Sequence, residues 1–361
     1  MGKPKSRIMT AKERVFRING KSFSFDELSV LKGKKSDLLW QEMLDFLKDW
    51  FDKEETIIQQ SSGSTGTPKQ ISLSKAAMAA SAKMTGDFFG FDSSKNLYLC
   101  LSPGYIAGKM MIVRALVFDM NLVVGNAAAN PLVSLDQQID FSAMVPLQLS
   151  KIVSETPEKL KYFKTIIIGG SAIAGHLEQQ LQHFSTAFYH TYGMTETMSH
   201  IALRKVNGAD KSDWFTPLGG VKISVDQRNC LQVDVESLGI KKLITNDIVS
   251  ISKSGQFKIL GRVDDVIISA GAKIHPLLVE QKLQKHISSK LLLLGKKDET
   301  AGEIAILVIE GHFTIREIYD YWLKLSTLLP AQEMPRHLYF IEKIPFLESG
   351  KADRKLLKEI V

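Results

Sequence analysis

Ser61-Ser62-Gly63-Ser64-Thr65-Gly66-Thr67-Pro68-Lys69 is the stretch on which the reading of this chain turns. Gly63 and Gly66 let the backbone aim its N–H groups at a ligand with no Cβ in the way. The serine and threonine hydroxyls add donors, and Lys69 adds a positive charge on a flexible stem. Such an inventory suits a loop that holds phosphate oxygens. The commoner phosphate loop, G-x-x-x-x-G-K-[ST], spaces its glycines and lysine differently. Here the order is Gly63, Gly66, Pro68, Lys69. Residues 61–69 are therefore either a nucleotide loop of another kind or a polar turn, because Gly, Ser and Thr clusters also build ordinary loops.

The bulk of the chain narrows the setting. Its 361 residues exceed one ordinary core and predict two or three domains. A composition of 44% hydrophobic and 24% charged residues is that of a soluble globular protein. Cys100 and Cys230 sit in separate apolar runs, so no disulfide framework is expected and a reducing cytoplasm is the natural home. No run reaches the length of a membrane span, and no stable membrane association is expected. The start is basic (Lys3, Lys5, Arg7, Lys12, Arg14, Arg17) with no apolar core behind it, which reads as a solvated strand or arm rather than a secretory signal. The net charge of +7 is spread along the chain, without the interleaved aromatics of a stacking surface. Nucleic acid is not the expected partner; an anionic small substrate accounts for the excess as well.

Organisation follows from apolar spacing. Leu38 to Phe51 has helical periodicity, with Leu39, Met43, Phe46, Leu47 and Trp50 on one face. Thr56–Gln59 is a short strand leading into the opening loop, and Ser74 is placed to cap a helix from Ala76 to Phe88. Strand-like runs at 97–101, 122–124, 143–145 and 165–168 then alternate with helical runs at 109–118, 146–154 and 173–184. That alternation predicts a large α/β domain with a mainly parallel sheet. From 219 to 262 short alternating strands (222–225, 231–235, 243–244, 248–251, 257–260) predict an antiparallel β subdomain. Helix, strand, strand, helix, strand and helix after that predict a small α+β domain. The expected boundaries are 1–263 and 264–361.

Four further groups carry chemistry. In Tyr192-Gly193-Met194-Thr195-Glu196, Tyr192 offers a flat face for a base, Thr195 a donor, and Glu196 a hard oxygen ligand for Mg²⁺. Gly169-Gly170-Ser171 permits close backbone approach to a planar ligand, or is a plain strand-to-helix turn. Asp247 with Arg262 could clamp a ribose diol, one accepting and one donating, or form a surface salt bridge. In Ser349-Gly350-Lys351 a lysine on a glycine-hinged loop can reach a distant site as a point charge.

In this order the motifs resemble those of the adenylate-forming superfamily, which takes in acyl- and aryl-CoA synthetases, luciferase and peptide-synthetase adenylation domains. The resemblance covers residues 55 to 361. It implies that Ser61, Ser62, Gly63, Ser64, Thr65, Gly66 and Lys69 hold the triphosphate. Gly169, Gly170 and Ser171 line the adenine, with Tyr192 and Gly193 stacking on it. Asp247 and Arg262 take the ribose, Thr195 and Glu196 act with magnesium, Asp264 is the interdomain hinge, and Lys351 is the catalytic lysine of a mobile C-terminal domain. ATP, Mg²⁺ and CoA are the implied cofactors and co-substrates. The chain departs from the pattern in its short lead before the loop, in Thr245-Asn246-Asp247 where Thr-Gly-Asp is usual, in Ser269-Ala270-Gly271-Ala272 where Gly-Gly-Glu is common, and in Tyr105 where histidine is frequent. The short lead leaves two options: the missing part is dispensable, or a second copy of the chain supplies it, which would make the protein a homo-oligomer.

Leu101 to Lys109 and on to Arg114 occupy the region of the acyl pocket. Lys109 and Arg114 lie near, though not on, one helical face. Two cations beside such a pocket suit an acid with a second carboxylate, unless both face solvent. Tyr105-Ile106-Ala107-Gly108 followed by an apolar helix bearing Arg114 resembles the o-succinylbenzoate–CoA ligases of menaquinone synthesis. That resemblance implies Tyr105, Gly108, Lys109 and Arg114 as acid-binding residues. Another acid–CoA ligase, a stand-alone enzyme loading a carrier protein, and a non-catalytic nucleotide-binding protein stay open as alternatives.

Overall fold

The computed structural model of the chain describes residues 15–30, 38–61, 69–346 and 352–361. The elements run β1 (Val15–Ile18), β2 (Lys21–Ser24), α1 (Phe25–Val30), α2 (Leu38–Phe51), β3 (Thr56–Ser61), β4 (Lys69–Ser74), α3 (Lys75–Phe89), β5 (Asn96–Leu99), α4 (Ile106–Val117), β6 (Asn121–Val124), β7 (Ile139–Met144) and α5 (Pro146–Glu155). Then come β8 (Phe163–Ile168), α6 (Gly175–Leu181), β9 (Ala187–Gly193), β10 (His200–Lys205), β11 (Thr216–Pro217), β12 (Val221–Val225), β13 (Cys230–Val235), β14 (Ile240–Ile251) and β15 (Phe257–Arg262). The last part holds β16 (Ile267–Ser269), β17 (Ala272–Ile274), α7 (Pro276–Gln284), β18 (Leu291–Asp298), β19 (Gly302–Glu310), α8 (Ile315–Leu328), β20 (His337–Ile341) and α9 (Arg354–Ile360).

The large sheet has the order β11-β10-β9-β8-β7-β5-β6-β1-β2, parallel from β9 through β1. Residue alternation along its central strands divides the core in two. Leu97 and Leu99 face α2, α3 and α4, while Tyr98 and Cys100 face α5 and α6. Each fully buried side chain of this kind stabilises by roughly 1.5–3 kcal/mol relative to exposure. Helix starts are set locally: the Ser74 hydroxyl accepts the Ala77 N–H, and Gly90 closes the same helix in the left-handed region at φ 66°. The chain leaves β5 to one side for β6 and later to the other for β7, so the crossover direction reverses at β5. A crevice outside the carboxyl ends of the strands at such a point is where open α/β sheets bind ligands.

A four-stranded antiparallel sheet, β12-β13-β14-β15, follows and joins the first core through Leu231, Val233, Val235, Val249 and Phe257. The final sheet, built on β18 and β19 with β20 and the β16–β17 hairpin, buries Leu293 and Leu307 on one face and Leu294, Ile306 and Val308 on the other. Within this part Arg354 pins α9, donating to both Glu280 carboxylate oxygens at 2.8 and 3.0 Å and to the Leu293 carbonyl at 2.9 Å.

One expectation needs correction. Residues 243–244 and 248–251 are not separate strands: β14 is continuous, because bulges absorb the polar Thr245-Asn246-Asp247 without ending the ladder. Of the two options for the basic lead, a strand or an arm, the structure has the strand: β1, which includes Arg17, lies between β6, parallel to it, and the edge strand β2. The expected strand into the opening loop is present as β3, which pairs with β4 alone. The earlier basic residues, 3–14, lie outside the described residues.

Candidate active site

The carboxyl ends of β8 and β9 bring the glycine turn beside the tyrosine motif. The Thr191 hydroxyl donates to the Ile168 carbonyl at 3.1 Å, and a Cβ on Gly169 would lie 2.8 Å from that hydroxyl oxygen. Gly170 takes φ +89°, a conformation that glycine adopts without strain. His190 steadies this turn from β9. Its Nε2 lies 3.2 Å from the Ser171 carbonyl, while Arg204 approaches Nδ1 at 3.4 Å, which makes the Nε2–H the donor to Ser171. Burial, with Arg204 alongside, pushes the imidazole down to about 4, so it is neutral near pH 7. After Gly193, whose Cβ position is filled by the Ser199 carbonyl at 2.3 Å, the Thr197 hydroxyl accepts the Met194 N–H at 3.0 Å and closes a single helical turn. Glu196 on that turn is exposed and Thr195 is half-buried.

Tyr192, Asp247 and Arg262 converge from three strands. Asp247 and Arg262 are cross-strand partners on β14 and β15, and one guanidinium nitrogen donates to Oδ1 of Asp247 at 3.0 Å. The other oxygen, Oδ2, accepts the Tyr192 phenol at 2.6 Å. Burial first, and Asp247 second, raise the Tyr192 phenol well above its usual range, so it acts as a neutral donor. The ring is 7% exposed and meets Phe257 and Phe215 edge-on, at 5.1 and 6.1 Å between centroids. Arg262 also reaches Asp264 at 3.2 Å, and the Asn246 amide donates to Asp264 at 3.1 Å. Tyr192→Phe is expected to raise KM for a nucleotide roughly tenfold, the lower worth of one hydrogen bond to a charged group, with KM for the acid unchanged. Steady-state titration of each substrate checks it.

Around the opening loop the structure fixes the frame. Ser61 and Lys69 are register partners at the end of the β3–β4 hairpin. Ser62, Gly63, Ser64, Thr65 and Gly66 lie outside the described residues, as does Lys351. Below that frame, Gln59 is 2% exposed and donates to the carbonyls of Gln60 (2.9 Å) and Gly104 (3.0 Å). Its amide oxygen accepts from Lys109 Nζ at 2.6 Å. Lys109 is thus buried, with burial holding its ammonium below the usual lysine range. It points to the hairpin base rather than toward Arg114, five residues and about 140° farther round α4. Gly108 packs against its own approach loop: a Cβ would lie 2.3 Å from the Ser102 carbonyl oxygen and 2.5 Å from that of Leu101. A side chain there is excluded by that packing. Tyr105, at the N-cap of α4, is 51% exposed.

Arg114 does not face solvent. It is 1% exposed, and among the described residues no carboxylate pairs with it. One terminal nitrogen donates to the Ser199 hydroxyl at 2.7 Å, the other lies 3.7 Å from Met111 Sδ, and Nε is buried with no acceptor. Burial pushes the guanidinium down to about 9, still charged at neutral pH. Leaving a buried cation uncompensated is costly, so the arrangement suits a ligand that brings its own anion. Sequence reasoning missed Gln59, His190, Ser199 and His200. Ser199 and His200, directly after the tyrosine motif, were the findable ones.

Among the described residues no cluster of three His, Cys, Asp or Glu side chains could hold a metal on its own. A lone exposed carboxylate such as Glu196 does fit Mg²⁺ that arrives on nucleotide phosphates, because that ion keeps its waters and takes one or two carboxylates. No helix among the described residues is long and apolar enough to cross a membrane.

The chain is similar to known proteins over most of its length. The chain is 25% identical to the 2-succinylbenzoate–CoA ligase of Lactococcus lactis, over 92% of this chain and 80% of that one. An acyl-CoA synthetase (AMP-forming)/AMP-acid ligase II-like protein from Dyadobacter fermentans superposes with a TM-score of 0.63 at 30% identity, over 93% of this chain and 97% of that one. The o-succinylbenzoate coenzyme A synthetase of Bacillus subtilis, in complex with ATP and magnesium ion, has the same fold, with a TM-score of 0.67 at 20% identity over 83% of this chain and 69% of that one. The family model for AMP-binding enzymes matches residues 12–235, so the similarity begins well ahead of residue 55 and takes in β1, α2 and the hairpin. On that match, which spans the opening loop, the glycine turn and the tyrosine motif, the chain belongs to the AMP-binding enzyme family.

Proposed function

We propose that this chain is an AMP-forming acid–thiol ligase that converts o-succinylbenzoate to its CoA thioester through an acyl-adenylate, a step of menaquinone biosynthesis, in the cytoplasm. The observation that carries the choice of acid is Arg114, a buried guanidinium with a free Nε–H and no carboxylate among the described residues beside it. O-succinylbenzoate has two carboxylates: the succinyl one to be activated and the benzoate one to meet Arg114. Because Arg114 is enclosed, binding includes a local opening of the packing around α4 that admits the acid.

A carboxylate is a poor acylating agent because oxide would have to leave. A carboxylate oxygen attacks the α-phosphorus of ATP, and pyrophosphate departs. A thiol sulfur then attacks the acyl carbon, AMP departs, and the thiol proton passes to solvent. The first step brings anions together, and the site supplies positive charge where it is needed. On the family resemblance Lys351 lies between the acid carboxylate and the α-phosphate, and the 61–69 loop holds the β- and γ-phosphates. Magnesium, when bound, screens the phosphates beside Glu196. Asp247, held by Tyr192 and Arg262, has its carboxylate fixed for the ribose hydroxyls. The C-terminal part then turns about Asp264 and carries Lys351 away as the thiol enters.

The test is pyrophosphate release over a panel of carboxylic acids, with CoA, with a carrier-bound thiol, and with neither. The expected result is release that favours o-succinylbenzoate, with thioester formed on CoA. Transfer to the carrier alone would replace CoA in the reading, and no release with any acid would overturn it.

A further inference from the structure

Behind Arg114 lies a chain of hydrogen bonds with a single consistent direction, part-buried at Ser199 and buried beyond it. Arg114 donates to the Ser199 hydroxyl oxygen at 2.7 Å. Ser199 Oγ lies 3.2 Å from Nδ1 of His200, and Nε2 of His200 lies 3.2 Å from Thr85 Oγ1. Thr85 in turn donates to the Ser81 carbonyl at 3.2 Å. A hydroxyl has one proton. Thr85 has committed its proton to Ser81, so it accepts from His200, and the ring carries its proton on Nε2. Nδ1 is then a bare lone pair, and it accepts the Ser199 proton. Ser199 is left with its own lone pairs turned to Arg114. Ser81, Thr85 and His200 are all at most 5% exposed, so the links among these three are closed to water, while Ser199 is half-buried.

We propose that His200, acting through Ser199, is the positioning residue that sets acid specificity in this enzyme: it locks one guanidinium nitrogen of Arg114 against the protein and leaves the Nε–H as the donor for the second carboxylate of the acid. A neutral ring is required, because a proton on Nδ1 would compete with Ser199 for the same space and add a second buried cation. Burial, and next the neighbouring Arg114, hold the imidazole far below its ordinary range, consistent with that state. His200 touches neither the acid nor the nucleotide in this arrangement, so its effect is on Arg114 alone. The inference rests on the reading of Arg114 as the anchor of the second carboxylate.

The experiment compares o-succinylbenzoate with the same keto acid lacking the ring carboxylate, by pyrophosphate release. His200→Leu is expected to raise KM for o-succinylbenzoate roughly tenfold, the lower worth of one charge-assisted hydrogen bond, while KM for the monoacid and for ATP stays put. His200→Asn, which keeps an acceptor toward Ser199, is expected to recover most of the loss. Ser199→Ala cuts the same link without disturbing the ring and should reproduce the His200→Leu pattern even where that variant folds poorly. Wild type that prefers the diacid, with a preference the variants leave intact, overturns the inference alone; so does an equal rise for both acids. Wild type without a preference for the diacid overturns the assignment of Arg114 and this inference together.

Discussion

Lys351→Ala is expected to abolish pyrophosphate release from acid and ATP while largely sparing thioester formation from a supplied acyl-adenylate. The first half-reaction needs a positive charge between two anions in its transition state, and removing a preorganised group of that kind costs about 10³-fold in rate. The second half-reaction expels AMP and takes in a thiol, and Lys351 has no work in it. Arg354, three residues on, is bound to Glu280 and to the Leu293 carbonyl, so the end of the chain is tied to the last sheet and to α7. Rapid-quench measurement of the two half-reactions checks it. Equal loss of both would sink the two-state reading of this domain.

Arg114→Met is expected to move activity and stability in opposite directions. KM for o-succinylbenzoate should rise about 100-fold or more, the worth of a buried charge losing its partner, with KM for ATP unchanged. The folded protein without ligand should be as stable as wild type or more so, by on the order of 1–3 kcal/mol, because an uncompensated buried cation gives way to an apolar side chain of similar length. Thermal melts with and without the acid provide the check. Wild-type protein should gain stability from o-succinylbenzoate and the variant should not, since only a ligand that binds the native state shifts its melting. A variant that melts early and binds the acid normally would assign Arg114 to structure alone.

Much of the architecture was legible because it is local. Apolar alternation along 97–100 and 165–168 marks strands covered on both faces, and Ser74 marks a helix start by its own chemistry. Pairing between distant segments was not legible. β1 reads as basic and exposed, yet it lies within the sheet between β6 and β2, with Phe16 and Ile18 facing inward. β16 and β17 are three residues each, too short for periodicity, and they meet at Ala270 and Gly271, both at positive φ (48° and 82°). The candidate nucleotide and acid residues were recognisable as motifs, but their partners were not. Tyr192 and Asp247 are 55 positions apart, and the bond between them is a fact of the fold. Lys109 was read with Arg114 as one cationic feature; the helix turns them to different neighbours, Gln59 and Ser199.

Gln59 holds three things with one amide: the hairpin backbone at Gln60, the loop ahead of α4 at Gly104, and the ammonium of Lys109. Residues that share one hydrogen-bond network do not contribute independently. Substitutions at Gln59 and Lys109 are therefore epistatic, each tolerated or not according to the other. The β3–β4 hairpin and the loop ahead of α4 can drift in sequence only as a pair.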